Sequence, residues 1–315
     1  MKRLFLNKQT GLVIGSVMSI LLISGCTVSP DDPAATDSPE ETIEVAGHRD
    51  AQLYLVEPLP ADQNMEIELL QLTEILYNAE LDDEQKANVL LRRAVTFDYL
   101  GLKTLSLVDI NQAIELKPDM ADAYHSLGIY FAERGEYSGA FEAFDSVIEL
   151  NPNHDFVYLN RGLAAYYNGQ FDLAMSDFAD HYFQNTEDPF RVIWYYFAAK
   201  ELDSGRADEQ IREQWEQADA DPWGQKILAY LVNEVTEDEL IREAFSGSED
   251  QAQLNYRLCE AYFYMGKVAA AQGQNYNALN FFKLALSTNV YSYLEHRYAR
   301  SEIARLRESI RTEQE

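Results

Sequence analysis

A period constrains this chain more than any other feature. Gly101, Gly135 and Gly169 stand 34 residues apart, and so do Pro118 and Pro152. Gly128 and Gly162 keep the same step, with Ala94 one period earlier. Leu90, Tyr124 and Tyr158 keep it too, as do Phe97 with Phe131, and Ile110 with Phe144 and Phe178. A recurring unit of this length cannot bury its apolar face alone and must stack on its neighbours. The middle copy, AYHSLGIYFAERGEYSGAFEAFDSVIELNP, spaces its apolar residues for two helices. The glycine allows the turn between them, the proline stops the second, and the small residue lets the two approach closely.

A large residue, a small one four later, an aromatic three after that, a turn glycine, then A-x₃-F and P is the tetratricopeptide pattern. The predicted fold is all-α: helix-turn-helix repeats forming a short superhelix, with additional non-consensus helices and a disordered N-terminal tether. The third copy decays, with Thr186 at the proline position and Pro189 three residues late. Residues 189–250 still read as helical: Pro222 suits a first helical turn and Thr236 with Glu239 forms a capping box. Another copy returns at residue 259, where Tyr262, Gly266, Gly273, Ala278, Phe282 and Ala285 fit the frame. Upstream, MEIELLQLTEIL places Ile67, Leu70, Ile75 and Leu76 near one helical face, and Asp82 with Gln85 caps the next helix. The expected division is residues 1–25 as a lipoprotein signal peptide and 26–63 as lipid anchor and acidic flexible tether. Residues 64–190 hold a helix and three repeats, 191–250 an irregular helical connector, and 251–315 a C-terminal repeat with a last helix.

The start of the chain has its own logic. Lys2, Arg3 and Lys8 precede a run from Leu12 to Ile23 that is apolar apart from Gly15, Ser16 and Ser19. Twelve helical residues reach roughly 18 Å, too short for a bilayer core and right for a secretory signal. The run ends in Ile23-Ser24-Gly25-Cys26, which resembles the lipobox of bacterial lipoproteins. That resemblance implies cleavage before Cys26 and a covalent lipid on it, with no other cofactor. Acyl chains anchor a protein without a spanning helix. With Thr27 rather than Asp next in line, the resemblance implies the periplasmic face of the outer membrane. Residues 27–47 carry three prolines, six acidic residues and no aromatics, which predicts a disordered tether. About 35 such residues reach roughly 30 to 35 Å.

The formal net charge of −28 disfavours nucleic acid and anionic lipid headgroups as partners. With Cys26 lipidated, Cys259 has no partner for an internal disulfide, and YRLCEAYFYMG reads as helix core. The histidines, His48, His125, His154, His181 and His296, form no H-E-x-x-H pair, and no nucleophile elbow, S-x-x-K, Walker loop or G-x-G-x-x-G is present. No metal site and no catalytic residue is predicted.

In tetratricopeptide repeats the first helix of each pair lines a concave groove, through frame positions 2, 5, 9 and 12 or 13, which share a face. In the first copy these are Asn88, Leu91, Val95 and Tyr99, and in the second Asp122, His125, Ile129 and Glu133. In the third they are Phe156, Leu159, Leu163, Tyr166 and Tyr167. The third set either packs on the following helices or offers a groove to an apolar or extended peptide.

The stretches LGIYFAERGEYSGAFEAFDSVIELNP, LNRGLAAYYNGQFDLA, DPFRVIWYY and FFKLALSTNVYSYLEHRYA resemble the NlpI family of tetratricopeptide outer-membrane lipoproteins. They spread over residues 65 to 300, and the tether is longer than that family's. The resemblance implies a homodimeric, non-enzymatic adaptor. It would bring a peptidoglycan endopeptidase and other cell-wall hydrolases to a PDZ-containing tail-specific periplasmic protease. A direct peptidoglycan binder or a cryptic cell-wall enzyme is the alternative.

Overall fold

The computed structural model describes residues 54–217 and 222–314. The lipobox with Cys26 and the acidic stretch 27–47 lie outside the described residues. Those described form fourteen α-helices and no strand. The first is α1 (Gln63–Asn78), followed by α2 (Asp83–Tyr99) with α3 (Lys103–Leu116), α4 (Ala121–Glu133) with α5 (Tyr137–Leu150), and α6 (Val157–Tyr167) with α7 (Phe171–Gln184). Then come α8 (Pro189–Leu202), α9 (Ser204–Gln217), α10 (Pro222–Leu231) and α11 (Glu237–Ser246). The chain closes with α12 (Gln251–Ala271), α13 (Asn275–Ser287) and α14 (Leu294–Gln314).

The periodic residues do what their types require. Gly101, Gly135, Gly169 and Gly273 adopt φ of 74°, 75°, 77° and 73°, the left-handed region that ends a helix without a Cβ penalty. Each allows the same closing bond: Leu102 N–H to Phe97 O, Glu136 to Phe131, Gln170 to Ala165 and Gln274 to Ala269, all at 2.8–2.9 Å. The small residue of each first helix faces the residue sixteen later. A Cβ on Gly128 would lie 2.5 Å from Phe144, one on Gly162 2.7 Å from Phe178, and one on Gly266 2.6 Å from Phe282. Where Ala94 replaces the glycine, Ile110 replaces the ring, and both are buried. Beside this contact, Arg93 forks onto Asp109 at 2.6 and 2.9 Å, and Arg161 onto Asp177 at 2.9 and 2.8 Å. The middle copy has Leu127 and Ala143 at the matching places.

Both predicted capping boxes form, at Asp82 with Gln85 and at Thr236 with Glu239. The late Pro189 opens α8, with Asp188 capping Phe190 N–H at 3.0 Å. Within 191–250, α8 and α9 make a hairpin stacked on α7, tied by Tyr196 and Lys200 to Asp208 at 2.9 and 2.7 Å.

Two expectations change. Residues 54–61, which the sequence reading placed in the tether, lie extended along α12. The Tyr262 hydroxyl donates to Tyr54 O at 2.7 Å, Asn255 Nδ2 donates to Glu57 O and Thr288 O at 2.9 and 3.1 Å, and Val56 is buried. Pro58 and Pro60 keep the segment out of a helix, and α12 supplies the polar partners its backbone needs. In α1 the inward stripe is Met65, Leu69, Leu72 and Leu76, spaced i, i+4, i+7, i+11, with Leu72 buried and the others half-buried. Ile67, Leu70 and Tyr77 point the other way, with Leu70 71% and Tyr77 89% exposed.

Candidate functional site

The first helices α2, α4 and α6 present the expected groove positions, and α14 decides which of them stay open. Arg297 of α14 donates to Asp98 Oδ2 at 2.5 Å and Glu133 Oε1 at 2.7 Å, at the C-terminal ends of α2 and α4. Tyr298 stacks on Tyr167 of α6 with ring centroids 4.7 Å apart. The Tyr167 hydroxyl donates to Glu302 at 2.9 Å, and Arg305 lies over the rings of Tyr166 and Tyr167. α14 thus roofs the C-terminal ends of all three groove helices.

The floor under this roof is charged and buried. Lys267 of α12 donates to Glu302 at 2.6 Å and to the Tyr166 hydroxyl at 2.9 Å, and that hydroxyl donates to Glu201 at 3.2 Å. Burial opposes charge on both Lys267 and Glu302, but their mutual attraction outweighs it. The lysine is held above its ordinary range and the carboxylate below. Leu159, Leu163, Tyr166 and Tyr167 are therefore core residues. Of the two alternatives for the third set, the chain's own helices cover these four residues, which are therefore not a face open to a peptide, while Phe156 stays outside. Glu133 is likewise committed to Lys103 and Arg297.

The N-terminal ends of the groove helices remain open. Asn88 and Asp122 are exposed, Leu91 is half-buried and Phe156 is 49% exposed. Val95 and Ile129 line a small cleft between α2 and α4, and Tyr99 stays exposed beyond them. His125 is half-buried and forms the centre of this strip. Its ring lies 4.3 Å from that of His154, whose Nε2 is 3.2 Å from Asp122 Oδ1. Its own Nε2 is 3.1 Å from Asn160 Nδ2, so His125 accepts there and holds its proton on Nδ1. Burial first, then His154, push His125 down to about 3. Asn160 also donates to Phe156 O at 3.0 Å, while its Oδ1 is buried with no hydrogen-bond partner among the described residues. The strip is polar at His125, Asp122 and Asn88 and apolar at Phe156 and Leu91.

The sequence reading missed His154 and Asn160. His154 sits in the loop before α6, and the repeat register sets that loop against position 5 of the preceding copy, where His125 lies. Among the described residues no group of three or more His, Cys, Asp or Glu is placed to hold a metal ion. Cys259 is fully buried, and burial pushes its thiol well above the usual range, so it lacks thiolate character.

The helix pairs, their turn glycines and their sixteen-residue contacts define a tetratricopeptide-type helical-repeat protein. No family model matches the chain. Among solved structures it is similar to a tetratricopeptide repeat protein from Parabacteroides merdae, at 18% identity and TM-score 0.44, covering 78% of each chain. It is also similar to Pseudomonas aeruginosa pilF at 16% identity and TM-score 0.41, covering 70% of this chain and 99% of that one. A third similar structure is YrrB, described as a TPR protein with an unusual peptide-binding site. The match has 14% identity and TM-score 0.39, covering 72% of this chain and 96% of YrrB. The fold assignment rests on the helices' own geometry.

Proposed function

We propose that this protein is a non-enzymatic protein-binding scaffold, and that its open strip across α2, α4 and α6 receives a partner segment. The carrying observation is the half-roofed groove: α14 fills one side, and the other leaves Asn88, Asp122, His125 and Phe156 accessible on rigid helices. Helix-borne contacts of this kind bind without reorganising.

The finer reading is an adaptor held by a lipid on Cys26 at the periplasmic face of the outer membrane. There it brings a peptidoglycan endopeptidase, and other cell-wall hydrolases, to a PDZ-containing tail-specific protease. Its support is the lipobox and the four stretches that resemble the NlpI family. Holding protease and substrate together raises their effective concentration, worth about 10²–10⁴ in avidity. A dimer through the outward face of α1, with Ile67, Leu70 and Tyr77, belongs to the same proposal.

The test is retention from a periplasmic extract by the tagged chain, with the retained proteins identified. Recovery of a PDZ-bearing protease and a cell-wall hydrolase is expected. Recovery of neither, with the protein sedimenting alone on bare peptidoglycan, would overturn the adaptor reading in favour of a cell-wall binder.

A further inference from the structure

A cavity of about 360 Å³ lies at the roofed end of the groove, apart from Asn88, Asp122, His125 and Phe156, between the start of α3, the end of α4 and the first half of α14. In a chain of net charge −28, its wall carries Lys103, Arg134, Arg297 and Arg300 against one carboxylate, Glu133. That carboxylate is already shared by Lys103 at 3.1 Å and Arg297 at 2.7 Å. Behind them Asp98 is shared by the same two cations at 2.6 and 2.5 Å. Burial works against charge on Asp98, but Arg297 and Lys103 hold its carboxyl below the ordinary range. This four-membered network balances itself and contributes no net charge.

One cation, Arg300, is left over, beside a weakly paired Arg134. Arg300 is exposed, one turn from Arg297, and has no ion-pair partner among the described residues. Arg134 is ion-paired only with Glu136, at 2.7 Å, and both are more than two-fifths exposed, so solvent screens that pair. Arg134 also lies over the Tyr130 ring, 5.5 Å from its centroid, which fixes its guanidinium at the rim. The first turn of α3 joins the wall through Lys103 and Thr104, and Leu102 before it makes no side-chain cap. Tyr130 and Tyr291 make the apolar sides. The Tyr291 ring packs so closely that a Cβ on Gly101 would lie 3.1 Å from it. His296 beneath is buried, and burial leads in pushing it down to about 4, so it stays neutral at neutral pH.

We infer that this cavity is a second binding site, for a peptide carboxylate. Arg300 and Arg134 grip the charge and the two tyrosines flank the residue that carries it. Arginine forks suit a planar carboxylate. Glu133 in the wall opposes a doubly charged phosphate more than a singly charged carboxylate. The carboxylate can belong to a chain terminus or to an acidic side chain. The inference rests on the protein-binding reading only for the class of ligand. The groove strip lies elsewhere, so either site can fail without the other.

The test is titration calorimetry on the full chain with three probes. They are acetyl-Ala-Phe-Ala with a free carboxylate, the same peptide amidated, and amidated acetyl-Ala-Phe-Glu, which carries only a side-chain carboxylate. At least one carboxylate probe is expected to bind saturably and about tenfold or more tighter than the amidated control, weakening as salt rises. The better probe shows which source the site prefers. Arg300→Glu, at an exposed unpaired position that leaves folding intact, is expected to weaken that probe about tenfold or more, and Arg134→Gln to weaken it less. No saturable binding by either carboxylate probe, equal binding of the amide, or unchanged affinity in Arg300→Glu would each overturn the inference.

Discussion

Gly162 has less room than any substitution at that position could use. An added methyl group would press into Phe178, which is fully buried between α6 and α7. Gly162→Ala is expected to cost about 1–3 kcal/mol in urea unfolding, partly recovered by Phe178→Leu. Gly205→Ala, at an open position in α9, is expected to stay within about 0.5 kcal/mol. Equal losses at both sites would contradict the packing account. The Lys267–Glu302 pair is the opposite kind of residue problem, because its cost is desolvation. Lys267→Met leaves the buried Glu302 with only the Tyr167 hydroxyl and Arg305 at 3.9 Å, and is expected to destabilise by about 2–4 kcal/mol, whereas Lys267→Met with Glu302→Leu recovers most of it. The folded pKa of Glu302 lies below its ordinary 4.5, so its contribution is complete above that value and fades as the pH falls through the folded one. Stability measured from pH 6 down to pH 3 should therefore fall less steeply in the double variant than in the parent, and equal slopes would contradict the pairing.

At the scale of elements, α1 and α14 behave as opposites. α14 sinks its apolar face, with Tyr298, Ile303 and Leu306, into the array it crosses. α1 has one face on α2 and leaves Ile67, Leu70 and Tyr77 in solvent. Leu70→Glu is expected to change unfolding stability by no more than about 0.5 kcal/mol while lowering the mass found by sedimentation, if α1 joins two copies. An unchanged mass would remove α1 from any dimer interface. These two helices also mark how far the sequence could be read. The repeat pairs were legible because glycine, small residue and aromatic recur at one step, and each recurrence has a single steric cause. The capping boxes at Asp82 and Thr236 were legible because caps are local. The roofing by α14 was not, since EHRYARSEIARLRESI has no period and its contacts with Asp98 and Glu133 span 199 and 164 residues. That is why Tyr166 and Tyr167 read equally well as groove or as core. The stripe of α1 was misread by mixing Leu76 with Ile67 and Leu70, which lie on opposite sides of a helix that is apolar on both.

At the scale of the molecule, the described residues form a helical array with one strip of its groove open, and the proposed adaptor would act by holding partners together. The fold came from periodicity, whereas the open strip needed three dimensions, since His125, His154 and Asn160 meet through the stacking of two repeats. The most direct measurement is the rate at which a PDZ-bearing tail-specific protease degrades a cell-wall endopeptidase. It would be followed with and without the full chain, and with Phe156→Glu and Asp122→Lys variants. The native chain is expected to accelerate degradation, and each variant to lose about tenfold or more of that acceleration while its helical content and unfolding midpoint stay unchanged. No acceleration by the native chain would contradict the adaptor reading. Full acceleration by both variants would contradict the strip as its binding surface.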